Sequence, residues 1–189
     1  MKLKVCGVND AAFAARAAAL GADYIGLIFA EKSPRRVTPA GARLILAAIA
    51  GTGAVPVGVF TARPIAEIID TARALGISHV QLHYRASAAD VAAARDARLS
   101  VWTLAGGAET ADALLFDSTH GDGETEIRRG AWLTVLAGGI SEKNLASAVR
   151  LTPDVIDVSG SLESANGVKS IALLERFIAA WRALQGAAI

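Results

Sequence analysis

The sequence has only one cysteine, Cys6, among its 189 residues. A single thiol excludes an internal disulfide and any zinc or iron–sulfur site that needs several cysteines, and it indicates a reducing compartment. The chain also lacks an excess of either charge, since 19 Lys and Arg stand against 18 Asp and Glu scattered along it. We therefore predict no basic face for nucleic acid and no polybasic segment for a membrane, and we expect a small-molecule partner.

Long hydrophobic runs are scarce as well. The N-terminus, Met1-Lys2-Leu3-Lys4, lacks the apolar core of a signal peptide. The longest uncharged stretch, residues 44–62, is divided by Gly51-Thr52-Gly53 and by Pro56 into a helix end, a turn and a strand. We expect a soluble cytoplasmic protein in which residues 1–189 form one globular domain.

The chain does contain a regular alternation of two kinds of segment. Short runs of Val, Ile, Leu and Phe alternate with longer Ala-rich amphipathic stretches, which is typical of βα units around a parallel sheet. This pattern predicts a (β/α)₈ barrel that is shortened in βα units five and six, with a turn or disordered loop at residues 123–130. The predicted strands are residues 2–7, 23–29, 55–60, 79–83, 100–104, 113–117, 133–137 and 155–159, and the predicted helices lie near residues 10–20, 39–50, 64–75, 87–97, 141–151 and 170–185.

An internal similarity favours the barrel over a doubly wound sheet. Residues 19–27 resemble residues 74–82, an offset of two βα units, and repetition of a βα pair suits an eightfold barrel. A doubly wound sheet would place a glycine-rich phosphate loop after the first strand, where this chain has Cys6-Gly7-Val8-Asn9. Local signals agree with the predicted helix boundaries, with Thr38-Pro39, Pro64 and Ser141 at helix starts and Gly21 and Gly76 at helix ends.

Polar residues stand at the predicted C-terminal ends of the strands, which face one mouth of such a barrel. The segments after strands seven and eight are rich in glycine and serine, so that backbone N–H groups can approach an anion closely. We therefore expect a phosphate ester as the substrate. The candidate site residues are Cys6, Arg35, Gln81, His83, Asp117, Gly138-Gly139, Asp157 and Ser159-Gly160-Ser161.

Taken one at a time, these residues have simpler explanations. A lone cysteine on an apolar strand is more often a small core residue than a catalyst, and an aspartate before Ser-Thr, such as Asp117, often caps a turn. Gly138-Gly139 can equally form a tight turn before a helix. His79 and His83 lie four residues apart on a strand and lack a carboxylate at ligand spacing, so no metal site is predicted.

Eight short motifs form an ordered series along nearly the whole chain. They are Lys4-Val5-Cys6-Gly7-Val8-Asn9, Gly21-Ala22-Asp23-Tyr24-Ile25-Gly26, Ser33-Pro34-Arg35, Val57-Gly58-Val59-Phe60, Val80-Gln81-Leu82-His83, Leu115-Phe116-Asp117, Leu136-Ala137-Gly138-Gly139-Ile140 and Ile156-Asp157-Val158-Ser159. In this order the series resembles the motifs of the phosphoribosylanthranilate isomerase family of tryptophan biosynthesis. Cys-Gly on strand one together with Gln-Leu-His on strand four is rare in other phosphate-binding barrels.

The resemblance implies an Amadori rearrangement of N-(5-phosphoribosyl)anthranilate to 1-(2-carboxyphenylamino)-1-deoxyribulose 5-phosphate, without metal or cofactor. Asp117 would be the general acid that protonates the ribose ring oxygen, and Cys6 the base that removes the C2′ proton of the resulting iminium. The other implied roles are Arg35 facing the anthranilate carboxylate, Gly138, Gly139, Ser159, Gly160 and Ser161 binding the phosphate, and Gln81, His83 and Asp157 lining the mouth.

These two catalytic roles require opposite protonation states. The base must be a thiolate while the acid keeps its proton, and unshifted pKa values leave very few molecules in that state at neutral pH. We expect bound substrate and closing loops to desolvate Asp117 and so raise its pKa, and local donors to lower the pKa of Cys6.

The chain departs from the family pattern in four places. Two are single residues, Tyr84 for the usual glycine after Gln-Leu-His and Ser170 for the usual aspartate after Lys169, and two are longer segments. Residues 120–126 lack the Phe-Asp-Trp ending that the family usually shows, and the eighth strand ends Ser159-Gly160-Ser161-Leu162-Glu163 where the family has Ser-Ser-Gly-Val-Glu. We expect altered affinity or loop mobility. Two other functions stay open, namely another sugar-phosphate isomerase or epimerase barrel and a non-catalytic phosphate-binding descendant. Both a monomer and a homodimer are compatible with the sequence.

Overall fold

A computed structural model describes residues 1–61, 63–118 and 127–186. Eight parallel strands pair in chain order, and the eighth closes the barrel against the first. Each predicted strand agrees with the observed one to within two residues at either end, so the predicted (β/α)₈ barrel is confirmed. The strands are β1 (Lys2–Val5), β2 (Tyr24–Ile28), β3 (Val55–Phe60), β4 (His79–Leu82), β5 (Ser100–Leu104), β6 (Ala113–Asp117), β7 (Leu133–Ala137) and β8 (Val155–Val158).

Helices connect most of these strands. The Thr38 side chain accepts a hydrogen bond from the Gly41 amide and starts one helix, while Ser87 and Asp90 form a capping box at the start of another. Residues 105–112 between β5 and β6 form turns, which agrees with the predicted shortening of this βα unit, whereas the turn predicted at residues 123–130 lies partly outside the described residues. The helices are α1 (Ala11–Ala19), α2 (Pro39–Ile49), α3 (Ile65–Leu75), α4 (Ala88–Asp96), α5 (Leu145–Arg150) and α6 (Ile171–Gly186).

Two apolar layers hold the barrel together, because successive strand residues point to opposite faces of the sheet. The outer layer lies between strands and helices and includes Val5 of β1 and Phe177 of α6. The inner layer fills the barrel around Tyr24 and Trp102, whose rings meet edge to face with centroids 4.9 Å apart. Towards the C-terminal ends of the strands the inward positions become polar, and the candidate site lies there.

Two features differ from the predicted boundaries. Helix α5 begins at Leu145 rather than at Ser141, because the Asn144 side chain accepts from the Ser141 amide and donates to the Gly139 carbonyl, which makes residues 141–144 a separate turn. After β8, a 3₁₀ turn (Gly160–Leu162) leads into an unpredicted antiparallel hairpin of β9 (Glu163–Ala165) and β10 (Val168–Lys169). None of the helices in the described ranges is both long and apolar enough to cross a membrane.

Candidate active site

A cavity of about 430 Å³ opens at the C-terminal ends of the strands, the face on which barrel enzymes carry their active sites. It brings together ten of the eleven residues that the sequence predicted for the site, and Gln81 is the exception. Three apolar residues complete the wall. The lining residues are Cys6, Ile28, Arg35, His83, Asp117, Ala137, Gly138, Gly139, Ile140, Asp157, Ser159, Gly160 and Ser161.

Cys6 lies just beyond β1, with 7% of its surface exposed. Its amide donates to the Val158 carbonyl at 2.8 Å, and this hydrogen bond holds Cys6 against the end of β8 at the point where the chain leaves β1. The neighbouring strand leaves room for the sulfur because it carries glycine, since a Cβ on Gly26 would lie 2.7 Å from the Cys6 Sγ. The thiol therefore occupies a space that β2 keeps open, and it faces the cavity.

Asp117 ends β6 on the other side of the same cavity. Gly138, at the end of β7, has a φ of +88°, and a Cβ there would lie 2.6 Å from Asp117 Oδ1. Both the backbone conformation and the close approach of the carboxylate require glycine at this position. The Gly-Gly turn after β7 therefore leaves room for the Asp117 carboxylate, the candidate acid, and also sets the conformation of the loop itself.

A buried ion pair lies below the thiol. Lys4 of β1 is fully buried, and its Nζ donates to Oδ2 of Asp157 on β8 at 2.5 Å, where the two residues are partners in the strand register. Burial opposes the charge of the ammonium, but Asp157 and Cys6 outweigh burial and raise the pKa of Lys4. Burial raises the pKa of Asp157, with Lys4 acting in the opposite direction. Oδ1 of Asp157 has no hydrogen-bond partner among the described residues.

The protonation of Cys6 follows from its burial and from this pair. Burial raises the pKa of the thiol and is the largest influence, Lys4 lowers it, Asp157 raises it and Lys169 lowers it. The donors expected from the sequence are present, but they do not outweigh burial, so the net shift in the pKa of Cys6 is upward rather than downward.

Gln81 and His83 lie on the same side of β4, two residues apart. Gln81 is 2% exposed, and its Nε2 lies 3.1 Å from His83 Nδ1. His83 lines the cavity, whereas Gln81 lies one step deeper in the barrel and does not reach the wall. A two-residue step along a strand moves a side chain about 7 Å down the barrel, so Gln81 lies below His83, and its expected role at the mouth stays a prediction.

Arg35 lies at the rim in a network that the sequence analysis did not predict. Its Nε and one terminal nitrogen donate to the two carboxylate oxygens of Glu163 at 2.5 and 2.9 Å, and Lys169 Nζ donates to the same carboxylate at 3.0 Å. Burial acts to raise the pKa of Glu163, but the hydrogen bonds from Arg35, the Gly167 amide and Lys169 lower it to about 2. The hairpin β9–β10 thus ties Arg35 to the edge of the cavity.

The two loops proposed for phosphate are fastened to each other and to β1. The Ser161 hydroxyl donates to the Ile140 carbonyl at 2.6 Å, and the Ser159 hydroxyl donates to the Cys6 carbonyl at 3.1 Å. Lys169 Nζ donates to the Ser159 carbonyl at 3.0 Å. Because both hydroxyls donate their protons to backbone carbonyls, the backbone N–H groups of these loops are the better candidates for binding an anion.

Comparison with known proteins identifies the family. Residues 3–180 match the family described as N-(5'phosphoribosyl)anthranilate (PRA) isomerase. The chain belongs to this family. It is 36% identical over 202 residues to the N-(5'-phosphoribosyl)anthranilate isomerase of Rubrobacter xylanophilus, an alignment that covers 95% of this chain and 98% of that protein.

Solved structures of PRA isomerases share the barrel. The crystal structure of the enzyme from Thermus thermophilus is 32% identical, with a TM-score of 0.81 over 97% of this chain and 100% of that one. TrpF from Jonesia denitrificans is 33% identical, with a TM-score of 0.85 over 98% of each chain. The resemblance indicated by the strand-end motifs is thus confirmed. The part of the chain that the structure describes contains no group of three or more His, Cys, Asp or Glu side chains placed to hold a metal ion.

Proposed function

We propose that this protein isomerises N-(5-phosphoribosyl)anthranilate to 1-(2-carboxyphenylamino)-1-deoxyribulose 5-phosphate in tryptophan biosynthesis, as an aldose–ketose isomerase that needs no cofactor. The observation that carries the proposal is one cavity, lined by the only thiol of the chain and by a strand-end carboxylate, in a chain of the PRA isomerase family. A phosphorylated sugar fits its glycine-rich side, where the loops after β7 and β8 meet.

Proton transfer by two side chains accounts for the reaction. Asp117 donates a proton to the ribose ring oxygen, the C1′–O bond breaks, and the anthranilate nitrogen forms an iminium with C1′. The Cys6 thiolate then removes the C2′ proton, which gives an enaminol. C1′ takes up a proton and the C2′ hydroxyl loses one, and the C2′ ketone forms. Such acid–base pairs contribute rate factors of about 10² to 10⁴ each.

The rest of the cavity orients the substrate. Arg35 recognises the anthranilate carboxylate, since a guanidinium that already holds a carboxylate in two-point contact has the geometry for another. The loops of Gly138-Gly139 and of residues 159–161 hold the phosphate. Asp157 and His83 line the wall between these two ends, and Gln81 orients His83 from below.

Location and assembly follow from the same site. A free thiol that must ionise to act fits a reducing compartment, and we place the reaction in the cytoplasm. Every residue with a proposed role comes from one chain, so that either a monomer or a homodimer would be competent.

The test is turnover of freshly made phosphoribosylanthranilate, followed by the loss of anthranilate fluorescence. Cys6→Ala and Asp117→Asn are each expected to lower kcat by at least about 10²-fold while circular dichroism stays unchanged. Leu44→Ala on the exposed face of α2 is the matched control and should keep full activity. An inactive wild-type protein would contradict the proposal, and an active Cys6→Ala variant would assign the base to another residue.

A further inference from the structure

Lys4 is the one inward-facing cation of the described residues that is completely shut off from solvent, and the proposed mechanism does not use it. Its aliphatic stem lies in the apolar inner layer, and Nζ lies 6.0 Å from the centre of the Trp102 ring. Burial lowers the pKa of a lysine that has no partner, and the side chain then loses its proton, because an isolated charge in an apolar interior is strongly disfavoured. The charge on Lys4 therefore needs local anions to sustain it.

Two groups supply that negative charge. Asp157 accepts the short hydrogen bond from Nζ across the β1–β8 pairing. Cys6 is the second, because residues 4 and 6 alternate with buried Val5 along the strand and therefore point to the same side, into the barrel. An ammonium has three donors, so that it can hold the carboxylate and a thiolate at the same time.

Several other charged or titratable groups face Cys6 from the elements around it. They are balanced in sign, and those at the rim are paired with each other, since Glu163 holds both Arg35 and Lys169. The full set is Lys4 from β1, Arg35 from the loop after β2, His83 from β4, Asp117 from β6, Asp157 from β8, and Lys169 with Glu163 from the hairpin β9–β10.

We propose that Lys4 is a positioning residue for Cys6: its buried ammonium, held in place by Asp157, supplies the counter-charge that allows the sulfur to ionise. This inference rests on the proposed function in one respect, the assignment of Cys6 as the base. The thiol S–H bond breaks, its proton passes to solvent, and the electron pair stays on sulfur beside the ammonium. The same thiolate then accepts the C2′ proton of the substrate.

The competing explanation is that Lys4 and Asp157 form a structural cross-link between β1 and β8. The two explanations differ in the sign of their consequences at Cys6. A structural cross-link predicts that loss of either partner lowers the stability of the barrel and leaves the pKa of the Cys6 thiol unchanged. A counter-charge predicts opposite changes, because Lys4 attracts the thiolate and Asp157 repels it.

Because Cys6 is the only cysteine, alkylation of the whole protein reports on this thiol alone. The rate of iodoacetamide addition is followed by intact mass at a series of pH values, without substrate, since only the thiolate forms the C–S bond and releases iodide. The variants are Lys4→Met, Asp157→Asn and the double variant. Lys2→Met is the matched control, the same change two residues earlier on β1, at an exposed position.

At neutral pH we expect Lys4→Met to slow alkylation about tenfold or more, and Asp157→Asn to speed it about threefold or more, since each unit of pKa is a tenfold change in thiolate. Lys2→Met should match the wild type. If Lys4→Met does not fold, the double variant serves instead, and slower alkylation than wild type is expected there because Lys4 has a larger effect than Asp157. Equal rates in all variants, or changes in the same direction for both single variants, would overturn the proposal.

The basic limb of the pH profile of kcat/KM separates this inference from the proposed function. In the counter-charge scheme the limb that reports Cys6 moves with the alkylation profile in each variant. A wild-type protein without turnover would refute the proposed function while alkylation still tested the charge coupling. Alkylation profiles that move while the limb stays fixed would show that Lys4 controls Cys6 but that Cys6 is not the base.

Discussion

Two ionic regions of this molecule, one inside the barrel and one at its rim, use the same kinds of side chain in different ways. Inside, Lys4 and Asp157 form a pair whose side chains are 0% and 6% exposed, one cation against one anion. At the rim, Glu163 holds Arg35 and Lys169 together, and the Arg35 side chain keeps 26% of its surface in contact with solvent. The inner pair joins adjacent strands of the barrel, whereas the rim network joins the loop after β2 to the hairpin β9–β10.

This difference separates two tasks of the proposed active site. In the interior, water does not screen either charge, so the electric field of the pair acts strongly on the neighbouring thiol and controls the protonation of Cys6. At the rim, Glu163 holds Nε and one terminal nitrogen of the partly exposed Arg35 guanidinium, and the other terminal nitrogen can donate to a carboxylate of the substrate. The interior therefore suits control of the base, and the rim suits recognition of the anthranilate carboxylate.

The largest expected effect comes from breaking the inner pair. Lys4→Met leaves the Asp157 carboxylate buried without its cation, and loss of one partner of a buried pair lowers the free energy of unfolding by about 3 to 5 kcal/mol. The double variant Lys4→Met/Asp157→Asn removes both charges and should recover at least half of this loss. Urea denaturation followed by circular dichroism measures both.

Lys2→Met is the control for that experiment. Lys2 is exposed and contacts Tyr24 at the opposite end of the barrel, so the change should stay within about 1 kcal/mol of wild type. If Lys4→Met proved as mild as Lys2→Met, the interior would tolerate an unpaired carboxylate, and the distinction between the two regions would not hold.

The middle effect concerns the rim. Glu163→Gln keeps the size of the side chain but removes the two-point ionic contact that orients Arg35. In the wild type the oriented guanidinium loses less conformational freedom when the substrate binds. We therefore expect the variant to show a KM for phosphoribosylanthranilate about tenfold higher, with a smaller change in kcat. Glu142→Gln, which removes the exposed ion pair between the turn before α5 and Arg176 of α6, is the control. A fall in KM would mean that Glu163 competes with the substrate for Arg35 instead of orienting it.

The sequence was sufficient for the barrel and for most of the cavity wall. The alternation of apolar runs and amphipathic stretches indicated eight strands, and strand ends in a closed barrel converge on one mouth whatever the details of the loops. Cys6, Asp117 and the glycine-rich loops after β7 and β8 could be placed in this way. Gln81 lies two residues before His83 and is buried beneath it, so the position of a residue near a strand end did not decide which of the two side chains lines the cavity.

The ionic partners could not be predicted because they depend on contacts between residues distant in sequence. Lys4 and Asp157 are 153 residues apart, and their pairing is fixed by the closure of β8 on β1. The spacing of Lys4 and Cys6 on one strand was nevertheless a usable signal, since alternation directs both inwards. The hairpin β9–β10 had no such signal, because its two short strands lack an apolar pattern, and Glu163 and Lys169 went unassigned with it.

The smallest effect is a difference in the acid dependence of the two carboxylates. The pKa of Glu163 is lowered from 4.5 to about 2 in the folded protein, so its ionisation stabilises the fold above pH 4.5, and this stabilisation is lost as the pH falls towards 2. The pKa of Asp157 is raised by burial, so protonation on acidification favours the folded state there.

Urea unfolding of Glu163→Gln and Asp157→Asn between pH 7 and pH 3 measures this contrast. The stability of wild type minus that of Glu163→Gln should shrink as the pH falls, while the same difference for Asp157→Asn should grow. Parallel changes for both variants would show that Lys4 outweighs burial at Asp157, as Arg35 and Lys169 outweigh it at Glu163. Opposite slopes would show that burial outweighs Lys4 at the inner carboxylate, so that the charge on Asp157 carries a free-energy cost that its pairing with Lys4 only partly offsets.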